Sequence, residues 1–284
     1  MTAKPPPLPD IILDPIVRLA LAEDLGRAGD LTTDATIAPQ TQAVFEIRSR
    51  ASGVLAGMDA AAYALKLIDP DVAMICFKED GDRLEPDTII ARLEGKARSI
   101  LTAERVMLNF IGRLSGIASL TAHYVSAIEG SSARIVCTRK TTPGHRALEK
   151  RAVRCGGGTT HRYGLDDAIL IKDNHIAAAG SIQHALQKAH DYAGHLRMIE
   201  IEVDTLDQLK EALEFKPDAV LLDNMSLAQL TAAVQIIKGQ CKAEASGGVT
   251  LEKVQPISQT GVDFISVGAL THSARTLDIG LDAT

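Results

Sequence analysis

The apolar positions of this chain change rhythm partway along its length. In DPIVRLALAEDLG (14–26) apolar side chains gather at Ile16, Val17, Leu19, Ala20 and Leu21 and stop at Gly26, which predicts a short helix closed by glycine. The first dozen residues, rich in proline, are expected to be a flexible lead-in with no apolar run of the kind a signal peptide carries. AVFEIRSRASGVLAG (43–57) alternates and then meets glycine, the pattern of a strand or hairpin. MDAAAYALKLI (58–68) predicts a helix, and 72–95 predicts two more strands around Gly81 and Asp82. This opening portion reads as α+β with mostly antiparallel pairing.

The stretch 102–128 predicts a long helix, with Thr102 as its N-cap and a break near Gly116. Val106, Phe110, Leu114 and Ile117 form one apolar stripe, reinforced by Met107 and Ile111. A second stripe carries Arg105, Asn109, Gly112 and Gly116, where missing side chains would let a neighbouring backbone approach. On periodicity alone Arg105 is an ordinary exposed helix arginine.

Beyond this helix, short apolar runs recur at 135–138, 169–172, 198–203, 219–224, 243–248 and 264–269. Amphipathic segments such as TLDQLKEALEF and LAQLTAAVQIIKG separate the later ones. Strands alternating with helices predict a parallel sheet. Six or seven such units without a dinucleotide-binding fingerprint predict an open, incomplete TIM-like α/β barrel behind the mixed α/β N-terminal portion.

A barrel places its chemistry at the C-terminal ends of its strands. Those ends carry Arg139 and Lys140, Lys172, Glu202, Asp223, Ser246-Gly247-Gly248 and Gly268-Ala269. In MIEIEV the period of two sets Glu200 and Glu202 on one face and Ile199, Ile201 and Val203 on the other. The apolar face would meet helices, leaving two carboxylates pointing into the barrel, where only pairing or function justifies them.

Charge sharpens this picture. The chain is net −6, yet Arg134–Lys172 holds nine Lys/Arg against three acids, so the remainder carries −12. A basic island in an acidic protein points to a small anion and away from nucleic acid or a membrane surface. The absence of Trp and an aromatic fraction of 3 % argue against a base-stacking surface. No stretch approaches the roughly 20 apolar residues of a membrane span. Cys76, Cys137, Cys155 and Cys241 lie far apart without a C-x-x-C pair and read as reduced thiols of a cytoplasmic protein. No histidine pair has H-E-x-x-H spacing, so zinc is not expected, and there is no P-loop.

Arg139, Lys140, Arg162 and Lys172 with His161, the acids Glu202 and Asp223, and the small-residue loops SGG and GA together suit a substrate bearing both carboxylate and phosphate. Arginine forks pair with carboxylates, glycine-loop N–H groups hold phosphate, and acids hold Mg²⁺ or face a cationic transition state. A Schiff-base aldolase using Lys172 is an alternative, though that chemistry needs no arginine cluster.

EDLGRAGDLTT, TAERVMLNFIGRLSGIA, TRKTTPGHRALEKRAVRCGGGTTHRYGLDDAILIKDNH, EIEV, LLDNM, EASGGV and GVDFISVGALTHSARTLDI resemble, in order from about residue 23 onward, the quinolinate phosphoribosyltransferases, the type II phosphoribosyltransferase family. One departure is Cys137, where the family usually carries Asp. The resemblance implies an N-terminal domain over 1–115, joined by the tail 272–284, and a barrel over 116–271. It implies a homodimer or higher oligomer with shared active sites. The implied reaction joins quinolinate to 5-phosphoribosyl-1-pyrophosphate with Mg²⁺ and releases pyrophosphate and CO₂. By matching motif, Arg105, Arg139, His161, Arg162 and Lys172 would hold quinolinate. Lys140, Glu202, Asp223, Ser246, Gly247, Gly248, Gly268, Ala269 and Leu270 would hold the donor. Lys140, Glu202 and Asp223 would be catalytic, with Glu202 and Asp223 as Mg²⁺ ligands, direct or through water.

Overall fold

A computed structural model describes residues 4–284. Its elements begin with α1 (Asp10–Leu25), α2 (Leu31–Thr36), β1 (Gln42–Ser49), β2 (Gly53–Val54), α3 (Met58–Ile68), β3 (Ala73–Cys76), β4 (Arg83–Leu84), β5 (Ile89–Lys96) and α4 (Ala97–Ala127). There follow β6 (Arg134–Val136), α5 (Arg146–Cys155), β7 (Ile169–Ile171), α6 (Asp173–Ala179), α7 (Ile182–Tyr192), β8 (Ile199–Val203) and α8 (Leu206–Glu214). The chain closes with β9 (Ala219–Asp223), α9 (Leu227–Ile237), β10 (Lys242–Ser246), α10 (Leu251–Ser258), β11 (Phe264–Ser266), α11 (Ala269–His272) and β12 (Ile279–Ala283). Two compact units result. One gathers the chain up to Ala122, Thr141–Gly157 and Leu270–Thr284; the other gathers His123–Lys140 and Gly158–Ala269.

In the first unit, antiparallel strands lie in the order β12-β1-β5-β3, with β2 and β4 paired apart. Segment 72–95 thus holds three strands, one more than its pattern predicts. Helix α1 starts at Asp10, four residues before the predicted start, and buries Leu13, Val17 and Leu21, a four-residue repeat on one face. The lead-in is not loose over its described part. Lys4 pairs with Asp82 at 2.7 Å and Glu79 at 3.2 Å, and the Leu8 N–H donates to Asp59 at 3.0 Å; residues 1–3 lie outside the described residues.

Helix α4 also departs from expectation. It begins at Ala97 directly after β5, and the Thr102 hydroxyl donates to Asp30 at 3.2 Å instead of capping a helix. It continues unbroken through Gly116, because the glycines face packed chain. A Cβ at Gly116 would collide with the Arg275 carbonyl, and the Leu277 N–H donates to the Gly112 carbonyl at 3.0 Å.

The limits expected at 115/116 and 271/272 differ from the observed units chiefly at 141–157, for an electrostatic reason. Arg151 on α5 is 9 % exposed, donates to Asp80 and the Pro6 carbonyl, and lies 3.4 Å from Asp59. Glu149, also buried, accepts from Arg113 at 2.9 Å. Buried charges require such partners, and these partners all belong to the first unit.

The second unit is built on six parallel strands in the order β6-β11-β10-β9-β8-β7. Apart from β6, chain neighbours are sheet neighbours, the order of a barrel open between β6 and β7. Thr159 adds an isolated parallel bridge to Val136 on the outer side of β6. In pairing order this segment stands five strands from β8, about 24 Å on a flat sheet at the usual strand spacing. Yet the His161 Nε2 lies 3.1 Å from Glu200 on β8 and 3.5 Å from Glu244 on β10. The sheet therefore curls on itself.

Two strand-to-helix turns in this unit are closed by reciprocal caps. Thr205 with Gln208 starts α8, and Ser226 with Gln229 starts α9. Each cap satisfies first-turn N–H groups and fixes where the preceding strand ends.

Candidate active site at the strand ends

Each of the six parallel strands delivers a side chain to one cavity of about 370 Å³ in the second unit. Thr138, Arg139 and Lys140 follow β6, Lys172 follows β7, Glu202 lies on β8, Asp223 ends β9, Ser246 ends β10 and Ser266 ends β11. His161 and Arg162 enter from the segment after Thr159, and Glu244 lies deeper on β10. Eight of the residues expected from the sequence therefore share one cavity: Arg139, Lys140, His161, Arg162, Lys172, Glu202, Asp223 and Ser246.

Local chemistry fixes several of them. On β8, Ile199, Ile201 and Val203 are buried, which turns Glu200 and Glu202 to the opposite, interior face. Lys172 precedes α6, and its N–H donates to His175 Nδ1 at 3.0 Å. Its ammonium meets Glu202 at 2.5 Å, so a cation expected for the acid substrate and an acid expected for the donor are paired. Asp223 accepts from the Asn224 amide at 2.6 Å, and the Asn224 N–H donates to the Ser246 carbonyl at 2.9 Å. Gly247 follows with φ +95°, and a Cβ there would collide with the Asn224 side chain. Only glycine satisfies both constraints.

The electrostatics are uneven. Burial, and next the nearby Arg139 charge, lower the pKa of the Arg162 guanidinium, against the opposite pull of Asp167 and Glu200. Burial, and next Glu200, push the Glu244 carboxyl up to about 7.

The remaining expected residues lie elsewhere. Gly248 continues the loop after Ser246 with φ +55° and open space at its Cβ position. Gly268 and Ala269 follow β11 at the start of the four-residue α11. Leu270 is wholly buried and packs in the first unit, so only its backbone is available to a ligand. Arg105 lies on α4 with a side chain 63 % exposed and does not line this cavity. The sequence reading passed over Thr138, Glu244 and Ser266. The signal for Glu244 was present, since it shares a period-two face with Ser246, as Glu200 does with Glu202.

Only part of the basic island Arg134–Lys172 reaches the cavity. Arg139, Lys140 and Arg162 line the cavity, whereas Arg151 is consumed by Asp59 and Asp80, and Lys150 is buried in the first unit.

Fold and cavity together define an open parallel α/β barrel whose strand ends converge on a charged site of both signs. Comparison with known proteins narrows the class. The family models "Quinolinate phosphoribosyl transferase, N-terminal domain" and "C-terminal domain" match residues 30–115 and 117–282. This chain belongs to the quinolinate phosphoribosyltransferase family. It is 45 % identical to a probable nicotinate-nucleotide pyrophosphorylase [carboxylating] of Bacillus subtilis, over 92 % of this chain and 90 % of that one. It is 45 % identical to the nicotinate-nucleotide pyrophosphorylase [carboxylating] of Mycobacterium leprae, over 94 % and 95 %. The solved nicotinate-nucleotide pyrophosphorylase from Francisella tularensis superposes with a TM-score of 0.94 over 98 % of each chain at 39 % identity.

Proposed function

We propose that this enzyme transfers the phosphoribosyl group of 5-phosphoribosyl-1-pyrophosphate to the ring nitrogen of quinolinate and releases pyrophosphate and CO₂, giving nicotinate mononucleotide for NAD synthesis. The observation that carries this reading is the single cavity in which Arg139, Lys140, Arg162 and Lys172 stand with Glu202 and Asp223. Quinolinate brings two adjacent carboxylates, and Arg139, Arg162 and Lys172 match them in charge. The family resemblance adds Arg105 from a second subunit. Lys140, with the backbone of Ser246–Gly248 and Gly268–Leu270, would hold the donor's phosphates.

Departure of pyrophosphate leaves positive charge on the ribose carbon, and the carboxylates of Glu202 and Asp223 supply the compensating field. Once alkylated, the ring nitrogen is a pyridinium, whose positive charge stabilises the electron pair left on the adjacent carbon as CO₂ departs, and a proton from solvent then takes the place of CO₂ on that carbon.

Glu202 and Asp223 also fit Mg²⁺. They offer hard oxygen donors, and one oxygen of each is already engaged, by Lys172 and by Asn224. Each keeps a second oxygen, consistent with an ion that takes one or two carboxylates, water and substrate phosphate. Bound there, Mg²⁺ would neutralise charge on the leaving pyrophosphate. We further read the protein as a cytoplasmic homodimer, in keeping with its four free cysteines. Among the described residues no helix is long and apolar enough to cross a membrane.

The test is kcat/KM for quinolinate and for nicotinate at saturating donor, with CO₂ release followed. Nicotinate fills one carboxylate position and forgoes the charge-assisted contacts of the other, at about 2–5 kcal/mol. The expected preference for quinolinate is therefore about 30-fold to several thousand-fold. Equal use of both acids, or quinolinate consumed without CO₂, overturns the reading.

A further inference from the structure

Beneath the cations of the cavity lies a group that the proposed reaction leaves unused. His161, Glu200 and Glu244 present ligand atoms that all lie within 4.8 Å of one another. Their side chains are 12, 13 and 6 % exposed. Glu244 Oε1 is buried without a hydrogen-bond partner.

A metal ion is the first occupant such a trio suggests, and the imidazole argues against it. The Arg162 backbone N–H donates to His161 Nδ1 at 2.8 Å. A nitrogen that accepts carries no proton, so the neutral ring keeps its proton on Nε2. Nε2 is the atom facing both carboxylates, at 3.1 Å from Glu200 Oε2 and 3.5 Å from Glu244 Oε1. Its lone pair is not available to a metal, and its N–H has carboxylates to meet. An imidazolium would set a second N–H against that of Arg162.

We propose that Glu200 and Glu244 are positioning residues for the acid substrate: Glu200, backed by the buried Glu244, holds Nε2–H and orients the His161 ring, whose Nδ1 in turn holds the backbone of Arg162 and so aims its guanidinium at the substrate's carboxylate. The proposal rests on the quinolinate reading of the cavity. The links from Glu200 to His161 and from His161 to the Arg162 backbone are 3.1 and 2.8 Å long, and Arg162 lines the cavity.

The charge state of the pair follows from its surroundings. Facing Glu244 are His161 from the segment after Thr159, Glu200 from β8 and Ser266 from β11. His161 and Ser266 draw the Glu244 carboxyl down, but burial and the Glu200 charge outweigh them, and Glu200 also feels the Arg162 charge. Two ionised carboxylates this close, one of them buried, are costly. Glu200 is therefore the acceptor for Nε2–H, and Glu244 is the member that holds a proton, with its carboxyl pushed up to about 7. The sign is definite. The neutral form of Glu244 is present below this value and lost as pH rises through it. Ionisation then places a second negative charge beneath a site built for a dianion. Quinolinate binding should weaken on the alkaline side.

The experiment compares wild type with Glu200→Gln, Glu244→Gln and Glu244→Leu at pH 6 and pH 8. Glu200→Gln removes the charged acceptor and should raise the quinolinate KM about tenfold or more, the worth of one charge-assisted hydrogen bond, with donor KM and kcat little changed. Glu244→Gln mimics the protonated acid in shape and charge. It should bind quinolinate as wild type does at pH 6 and lose the weakening that wild type shows at pH 8. If Glu244→Leu folds and shows the same flattened pH response, the proton assignment stands on two variants. Equal pH responses in wild type and Glu244→Gln, or Glu200→Gln raising both KM values alike, overturn the proposal. Nitrogen-15 NMR of the His161 ring gives a readout that needs no substrate. The protein should show the Nε2–H tautomer, disturbed in Glu200→Gln. A protein that shows this tautomer yet does not bind quinolinate refutes the substrate reading alone; an imidazolium or the Nδ1–H tautomer refutes the positioning role itself.

Discussion

At the residue scale, the contact between Lys172 and Glu202 pairs a cation and an acid that line the same cavity. The lysine is half exposed on a flexible stem and the acid is 12 % exposed, at 2.5 Å. Glu202 is thereby oriented before any substrate arrives, and an incoming carboxylate competes for the lysine. Glu202→Gln and Asp223→Asn keep shape and remove charge. Because the field of a carboxylate matters most when the ribose carbon is positive, each should lower kcat about 100-fold, the typical cost of losing one preorganised electrostatic group. Steady-state kinetics decide the matter. A large rise in donor KM with kcat near wild type would assign the two acids to donor or metal binding instead.

At the element scale, helix α4 shows how a sequence stripe acquires its meaning. Gly112 and Gly116 leave a bare strip along the helix, and 275–277 lies in it so closely that the Gly112 carbonyl accepts from the Leu277 N–H. The same return of the chain allows β12 to pair with β1, from Phe45↔Ala283 to Ser49↔Ile279. Gly116→Ala should force the two backbones apart. The expected destabilisation is about 1–3 kcal/mol, as for overpacking elsewhere, read as a lowered urea midpoint. An unchanged midpoint would mean that this contact yields at no cost. Element α5 gives the converse lesson. Its run Glu149-Lys150-Arg151 looks like a solvated charged face, yet all three side chains are buried; Arg113 answers Glu149, and Asp59 and Asp80 answer Arg151, from distant parts of the chain.

At the scale of the whole molecule, Arg105 is the informative residue. It matches a family position for the acid substrate, yet its side chain is largely exposed and pairs with Glu104 on the same helix, at 3.9 Å. A homodimer in which each cavity borrows Arg105 from the partner accounts for both facts. Mixing Arg105→Ala protein with Lys172→Ala protein should then restore up to about a quarter of wild-type activity, because half of randomly paired dimers are mixed and each has one intact site. Absence of recovery, with subunit exchange verified by mass, would place Arg105 in its own subunit's site or outside the site altogether.

The sequence by itself determined the class of fold and the outline of the chemistry. A period of two in MIEIEV separates buried Ile199, Ile201 and Val203 from inward Glu200 and Glu202, and the six runs that follow one another become six parallel strands. Such patterns are legible because burial of a face is a local property, repeated every two residues in a strand and every three or four in a helix. The motif match added the site residues, eight of which share the cavity. What the sequence left open depends on partners far along the chain. Nothing local tells Arg151, buried against Asp59 and Asp80, from Arg162 at the cavity, or reveals that Thr102 faces Asp30 and caps nothing. Nor does any local signal bring Glu244 beneath His161, 83 positions earlier in the chain. Only the curling of the sheet brings β8, β10 and the segment after Thr159 to one point. A charge becomes a ligand, a brace or a buried proton according to what that packing sets beside it.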